Sequence, residues 1–152
     1  MYNLDLSYRH IKLTEIAKFE RATKRIYPKG TIAIQISAVR KNGLTNFILL
    51  EKDTELESKY AVIIPKVKVS PEYLVSVLEL AEPKWHNKYV GNNINIQMEA
   101  LNYFELDYHD DIYTQLYVVA QQQQLQYEID LIKSQIEAEK QLKEYFLTNM
   151  FI

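Results

Sequence analysis

The sequence predicts an α+β protein in two parts, a compact mixed α/β domain over residues 1–110 and one long coiled-coil helix over residues 111–152. Short apolar runs separated by turn residues, together with one strong helix start, predict the compact part. The stretch from about residue 111 is rich in Gln, Glu, Lys and Leu and lacks Pro and Gly, which predicts the long helix. A chain of 152 residues holds one core and leaves no room for a two-domain cofactor enzyme.

The first third of the chain predicts a short helical segment followed by a β-hairpin. Between Leu6 and Arg25 the apolar residues have a spacing that suits one or two turns of amphipathic helix. A turn at residues 28–30 precedes residues 32–37, where isoleucine alternates with smaller or polar residues as in a strand with one apolar face. A second turn at residues 41–43 leads into the apolar run 47–50, so we expect these two strands to pair.

The middle of the chain predicts a buried strand and a helix. Residues 60–64 (YAVII) form an apolar run that Pro65 ends. Ser70 is followed by Pro71 and then by an acidic residue, which is the pattern of a helix N-terminus. We therefore expect a helix from Pro71 to about Leu80.

The predicted C-terminal helix carries an apolar seam, formed by Leu125, Ile129, Ile132, Ile136, Leu142, Phe146 and Met150. Its first four members are spaced 4, 3 and 4, as in a coiled coil. A helix of roughly 35 residues is near 50 Å long, and so small a domain cannot bury the seam along that whole length. A second helix is needed, and we expect it to come from a second copy of the chain in a homodimer.

The composition excludes several classes of function. The chain has no cysteine for disulfides, thiolate zinc sites or nucleophiles, and its three glycines cannot form a glycine-rich phosphate loop. No serine or carboxylate pair stands in a catalytic context, and the acidic residues around His109 lack a metal-ligand spacing. We therefore expect no enzyme, no metal and no cofactor. No run approaches the roughly 18 apolar residues of a membrane span, and no leader pattern opens the sequence, so we expect a cytoplasmic protein.

The net charge of −2 conceals two oppositely charged portions. Residues 1–49 contain nine Lys and Arg against three acids, whereas residues 70–152 contain five Lys against thirteen acids. A basic portion on an acidic protein attracts a polyanion to one face. The alternative is that these cations only solvate the surface.

The segment after Pro83 has the composition of a contact loop. Lysine, histidine, asparagine and aromatic side chains crowd residues 84–93, and residues 40–42 of the hairpin turn offer similar groups. Cationic and amide side chains suit phosphate and base-edge contacts. The alternative is a surface loop whose Trp85 and Tyr89 fill the core. Beyond this loop, residues 94–106 predict a helical turn and a short edge strand.

The order of these segments resembles one half of a type I restriction-modification specificity subunit. The succession is YPKGTIAIQISA, YAVIIPK, SPEYLVSVLE, WHNKYVGNNINIQMEALNYFELDY and a long helix that ends LIKSQIEAEKQLKEYFLTNMF. In that family a target recognition domain ends in a G-x-N-I-like turn and a short strand, and a conserved helix with a terminal M-F follows. The family's proline-rich sequence before this helix is replaced here by ELDYHDDIYTQ, which retains Gln115.

The resemblance implies a non-catalytic subunit that brings a methyltransferase, and in some assemblies an endonuclease, to a bipartite site in double-stranded DNA. Two copies paired through their helices would reproduce a full subunit, which has two such halves. The residues expected at the DNA are Lys24, Arg25, Lys29, Gln35, Arg40, Lys41, Asn42, Lys84, His86, Asn87, Lys88, Tyr89, Asn92 and Asn93.

A second hypothesis is a truncated protein of the same type with a structural or inhibitory role. It would pair through its helix, with another copy or with a full specificity subunit, and would not bind DNA. Charge reversal at Arg40, Lys41 and Lys88 distinguishes the hypotheses, because it abolishes DNA binding under the first and spares complex formation under the second.

Overall fold

The computed structural model describes residues 4–39 and 46–150 of the chain. Its main elements, in chain order, are β1 (Arg9–Lys12), β2 (Ala17–Arg21), β3 (Ile26–Tyr27), β4 (Ile32–Gln35), β5 (Phe47–Leu49), β6 (Thr54–Glu55), β7 (Tyr60–Pro65), α1 (Pro71–Tyr89), β8 (Glu105–Tyr108) and α2 (Ile112–Met150). Two compact units are present, residues 1–116 and residues 117–152. The fold is mixed α+β, as predicted.

A four-stranded antiparallel sheet in the order β2-β7-β4-β5 forms the centre of the first unit. In β4, Ile32, Ala33 and Ile34 are all buried, so both faces of the sheet are covered. Ile32 pairs with Leu49 on one side and with Ile63 on the other. The predicted pairing of these two strands and the predicted buried strand are confirmed, whereas the turn predicted at residues 41–43 lies outside the described residues.

Different elements cover the two faces of this sheet. On one face, Tyr27 of β3 and Leu56, which directly follows β6, pack in a core cluster with Ala33 and Val62. On the other face α1 contacts β5, and the ring of Phe104 lies 5.6 Å from Phe47 and 5.0 Å from Trp85. The apolar strands are therefore buried on both sides, as their continuous hydrophobic sequence requires.

The helical segment expected between Leu6 and Arg25 is wrong. Strands β1 and β2 lie there instead, joined by a single 3₁₀ turn over Leu13–Glu15. Strand β1 pairs with β8, where Ile11 lies opposite Leu106, and β2 pairs with β7. The apolar spacing around Leu13 reflects the turn alone, and pairing partners distant in sequence decide the rest.

Helix α1 begins as predicted and ends later than predicted. The Ser70 side chain accepts a hydrogen bond from the Tyr73 backbone N–H at 3.3 Å, which confirms the N-cap. The helix then continues through Pro83 as far as Tyr89. An internal proline costs about 3 kcal/mol, whereas burial of a tryptophan ring contributes roughly 4 to 6 kcal/mol. Trp85 is buried and donates its indole N–H to the Ala100 carbonyl at 2.8 Å, so packing outweighs the proline.

Short elements lead from α1 to the long helix. A 3₁₀ helix over Met98–Tyr103 precedes β8, so the predicted helical turn and edge strand are confirmed. Asp111 lies directly before α2, and its carboxylate accepts the backbone N–H of Thr114 at 3.0 Å. This bond satisfies one of the unpaired donors at the helix start.

Helix α2 contains 39 residues, which corresponds to about 58 Å. The prediction of a long C-terminal helix is confirmed, and all seven seam residues are between 45% and 70% exposed in the single chain. Among the described residues, no helix combines the length and apolar content that a membrane crossing requires.

The first turn of α2 belongs to the first unit, where Gln115 is completely buried. Its amide oxygen accepts the Ser70 backbone N–H at 3.0 Å. Its amide nitrogen donates to the His109 carbonyl at 2.8 Å and to the Tyr108 hydroxyl at 3.2 Å. One side chain thereby joins the end of β8, the start of α1 and the start of α2.

Replacement of this side chain by an apolar one of similar size should destabilise the first unit. In Gln115→Leu the Ser70 N–H and the His109 carbonyl lose their partner, and we expect unfolding to become easier by roughly 2 to 4 kcal/mol. Urea unfolding followed by fluorescence measures this, because Trp85 is the one tryptophan in the chain and is buried in this unit. The exposed Gln123→Ala is the control, with an expected change within about 0.5 kcal/mol. Equal stability of both variants would contradict the role of Gln115.

Candidate nucleic-acid interface

Three segments meet at the end of the sheet where β4 ends and β7 begins. We call residues 36–39, 57–59 and 91–96 the loop cluster. The Ile36 N–H donates to the Lys59 carbonyl at 2.8 Å, and the Val39 N–H donates to the Ile94 carbonyl at 2.8 Å. The Ile96 N–H donates back to the Ile36 carbonyl at 2.7 Å. Backbone bonds thus fix three loops that are far apart in sequence.

The segment that leaves β4 has an unusual backbone conformation. Ala38 has a φ of 53°, in the left-handed region that costs a residue with a Cβ about 1 to 2 kcal/mol. Its N–H donates to the Asn95 side-chain oxygen at 3.3 Å. The Gln35 amide nitrogen donates to the carbonyls of Ser37 at 2.9 Å and Ala38 at 3.0 Å. Strained backbone that side chains hold in place is a feature of binding sites.

A buried carboxylate holds the start of β5, directly after the hairpin turn. Glu82 of α1 is 5% exposed, and its carboxylate accepts the Asn46 backbone N–H at 3.0 Å and the Asn46 side-chain amide at 2.9 Å. A buried carboxylate needs such donors to be tolerated. Asn46 is therefore fixed to α1, next to the loop cluster.

Some of the residues predicted to bind DNA lie in or beside the loop cluster. Asn92 and Asn93 belong to it, and Gln35 lies at its border. Both Gln35 amide hydrogens have acceptors in the protein, so its side-chain oxygen is the atom left for a ligand. Arg40, Lys41 and Asn42 fall outside the described residues.

The structure places three other predicted cations elsewhere in the first unit. Lys24 has a φ of 58° and donates its backbone N–H to the Leu56 carbonyl at 3.1 Å. The Arg25 guanidinium lies over the Tyr27 ring, 4.8 Å from its centre. Lys29 precedes β4 and therefore lies at the end of this strand opposite to the loop cluster. Lys29 is thus distant from Asn92 and Asn93 along β4, whereas Lys24 and Arg25 are bonded to Leu56, directly before segment 57–59.

The remaining predicted residues lie on helix α1, because the loop expected after Pro83 is helical as far as Tyr89. Trp85 fills the core, as the alternative interpretation held. The Tyr89 ring stacks on Tyr103 at 5.2 Å, and the Lys88 ammonium lies 5.3 Å from the Tyr89 ring centre. The other members are the exposed Lys84 and Asn87 and the half-buried His86.

Acidic residues lie beside the two lysines of α1. Lys84 and Lys88 line a cavity of about 270 Å³ together with His10, Glu105 and Asp107. The His10 ring lies 2.9 Å from the Glu105 carboxylate and 2.9 Å from the Asp107 carboxylate. The hydrogen bonds to Glu105 and then to Asp107 raise the pKa of His10, and the bond from His10 lowers the pKa of Glu105. The two carboxylates offset the positive potential of the lysines at this cavity.

The structure adds two cations that the sequence did not single out. Lys59 belongs to the loop cluster, and the Arg21 guanidinium donates to the Ser58 carbonyl at 3.4 Å. Both residues are exposed. Their position depends on the strand order, so no local pattern could have identified them.

Three solved structures share this fold. The chain aligns with the S subunit of a type I restriction-modification system from M. genitalium at 14% identity and a TM-score of 0.65, over 97% of this chain and 46% of that one. It aligns with the HsdS subunit from Thermoanaerobacter tengcongensis at 16% identity and a TM-score of 0.63, over 99% of this chain and 46% of that one. A third match, from a study of complex assembly in a type I R-M system, has 14% identity and a TM-score of 0.69. It covers 95% of this chain and 45% of that one.

These matches establish an S-subunit-like fold for nearly the whole chain, and the chain spans less than half the length of each matched protein. No protein-family model and no curated protein matches the chain.

The pairing of His10 with two carboxylates should make the stability of the first unit depend on pH. A raised pKa means that charged His10 stabilises the fold below its unfolded pKa near 6.5, and that this contribution disappears as pH rises through the folded pKa. We therefore expect the difference in Tm between the wild type and His10→Asn to be largest near pH 6 and to shrink by pH 8.5. Thermal unfolding across this range measures it. The double variant Glu105→Gln/Asp107→Asn keeps the histidine and should also lose the dependence, and a difference that grew with pH would contradict the assignment.

Proposed function

We propose that the chain is a non-catalytic DNA-recognition subunit of a type I restriction-modification system, equivalent to half of a specificity subunit. Residues 1–110 would recognise double-stranded DNA, and residues 111–152 would pair with a second copy. The observation that carries this proposal is the fold match, which covers nearly all of this chain but less than half of each S subunit. In the cytoplasm, such a pair would guide methyltransferase and endonuclease subunits to a bipartite target.

The loop cluster is the part of the first unit best suited to contact DNA. It presents amide side chains for base edges, with Lys59 and Arg21 close by for phosphates. Residues 40–42 follow its first segment directly in sequence and add two cations. Because the loops are held by backbone bonds, little conformational entropy would be lost when DNA binds.

The other residues predicted to bind DNA would contribute unequally to the contact. Lys84 and Lys88 would contact phosphate only against the opposing field of Glu105 and Asp107. Lys29 lies at the far end of β4 from the loop cluster. We therefore assign the main contact to the loop cluster and residues 40–42, and a peripheral contact to the other cations.

Pairing through α2 would complete the subunit. The seam is exposed in the single chain, and burial of such an apolar stripe is the usual reason for helix pairing. An antiparallel pair of helices would hold the two recognition units more than one DNA turn of about 34 Å apart. Two copies would then recognise an inverted target with an unread spacer.

The alternative function, a structural or inhibitory protein that does not bind DNA, is favoured by one observation. Glu105 and Asp107 line the same cavity as Lys84 and Lys88, and their negative charge reduces the attraction of a polyanion to that cavity. Under this alternative the seam would still pair, either with a second copy or with a full specificity subunit. DNA binding at the loop cluster therefore decides between the two functions.

Charge reversal at the two ends of strand β7 tests DNA binding. Lys59 directly precedes the strand, in the loop cluster, and Lys66 directly follows it; both are exposed. We expect Lys59→Glu to weaken binding to a random-sequence duplex by about tenfold and to lower the salt slope by about one, because a phosphate contact is lost. Lys66→Glu should bind within about twofold of the wild type. Gel-shift titrations between about 50 and 200 mM salt measure both.

The two outcomes against the proposal differ in meaning. Equal weakening by Lys59→Glu and Lys66→Glu would remove the assignment of the loop cluster. If the affinity of the wild type for DNA did not change with salt, phosphate contacts would be excluded. The alternative function would then be favoured. Melting of both variants controls for the loss of the contact between the Lys59 ammonium and the Tyr60 ring at 5.5 Å.

Neighbouring residues on α2 test the pairing. Ile132 belongs to the seam and Leu131 does not, although their exposed fractions are 54% and 46%. A carboxylate in a buried seam is costly, so Ile132→Asp should convert a dimer into a monomer, whereas Leu131→Asp should stay dimeric. Light scattering over a range of protein concentrations measures the mass. A wild type that is monomeric throughout, or equal dissociation of both variants, would contradict pairing through the seam.

A further inference from the structure

The apolar seam on α2 contains one block that polar residues bound on both sides. Its members are Leu125, Ile129, Ile132 and Ile136, all about half exposed. Continuation of the same 4-3 spacing places Gln122 before the block and Glu139 and Lys143 after it, all three exposed. The apolar contact is therefore strongest over 125–136 and is interrupted by charge at Glu139.

This block is symmetric about a point between residues 130 and 131. In an antiparallel pair each layer of the seam joins an a position of one helix to a d position of the other. Leu125 of one copy therefore faces Ile136 of the other. In the same register Ile129 faces Ile132, and every member of the block has an apolar partner. The first turn of α2 is part of the first unit, so residues 117–144 of each copy would overlap in this register.

Two of the residues that bound the block, Gln122 and Glu139, are partners in this register. Gln122 of one copy faces Glu139 of the other, and its amide can donate to that carboxylate. On the flank of the seam, Glu128 would lie near Gln135 of the other copy, which brings no like charges together. Neither Glu139 nor Lys143 has an ion-pair partner within residues 4–39 and 46–150.

The competing arrangements bring like charges together. A parallel pair in register would place Glu139 against Glu139 and Lys143 against Lys143 inside the seam. An antiparallel pair shifted so that Glu139 faces Lys143 would place Lys140 against Lys140 at its centre and leave Leu125 and Ile129 outside the overlap. A buried ion pair does not compensate for that loss of apolar contact.

We propose that the block 125–136, bounded by Gln122 and Glu139, fits a second copy of this chain in one antiparallel register centred between residues 130 and 131. The inference rests on the proposed function, in which α2 pairs two copies, and adds the residues that fix the register. The starts of the two α2 helices would then lie about 55 Å apart along the pair, on the order of one and a half turns of DNA.

Cross-linking of full-length chains tests the register, because the chain has no cysteine of its own. Leu125→Cys and Ile136→Cys are mixed in equal amounts and oxidised, and a non-reducing gel shows the disulfide-linked dimer. We expect this mixture to give at least tenfold more linked dimer than either variant alone. The matched mixture of Ile136→Cys with Phe146→Cys reports the shifted register, and Ile136→Cys alone reports the parallel pair.

The outcomes separate the register from the pairing itself. A strong band from Ile136→Cys alone or from the mixture with Phe146→Cys would overturn the proposed register while pairing stood. Absence of linked dimer from the mixture of Leu125→Cys and Ile136→Cys would also overturn the register, provided that the wild type is dimeric by light scattering. A monomeric wild type would remove the pairing, and with it the proposed function.

Discussion

The hydrogen bonds of Gln115 are the constraint on which the arrangement of the first unit depends. Its side chain is completely buried, and its amide oxygen and nitrogen both have protein partners. An amide in such a position stabilises one arrangement and penalises others, because any displacement leaves a buried polar group unpaired. The carboxylate of Asp111 holds the same turn through the Thr114 N–H. The start of the long helix is thereby part of the compact unit.

Local patterns predicted those elements whose sequence alone decides their structure. The strand at 60–65, the Ser70 cap and the long helix each depend on neighbours in the chain, and each is confirmed. Strand β1 was missed because its partner β8 lies about a hundred residues away. The end of α1 was missed because packing of Trp85 outweighs Pro83.

For the candidate site as well, local sequence identifies side chains, whereas contacts distant in sequence decide where they lie. The sequence contains suitable side chains, yet their grouping follows from the sheet order, which brings residues 36–39 beside 91–96 and 57–59. Lys59 therefore joins the loop cluster, while Lys29 is placed at the opposite end of β4.

The proposed DNA contact and the proposed helix pairing depend on different physical interactions. Phosphate contacts weaken with salt, whereas the apolar seam of α2 is not screened, so recognition and assembly would respond to conditions separately.

The two described residues that border segment 40–45, Val39 and Asn46, are held by groups distant in sequence. The Val39 N–H is bonded to the Ile94 carbonyl, and Asn46 is bonded to Glu82 of α1. The points where the chain leaves β4 and enters β5 are therefore set by the core of the first unit, through α1 and the segment that follows it.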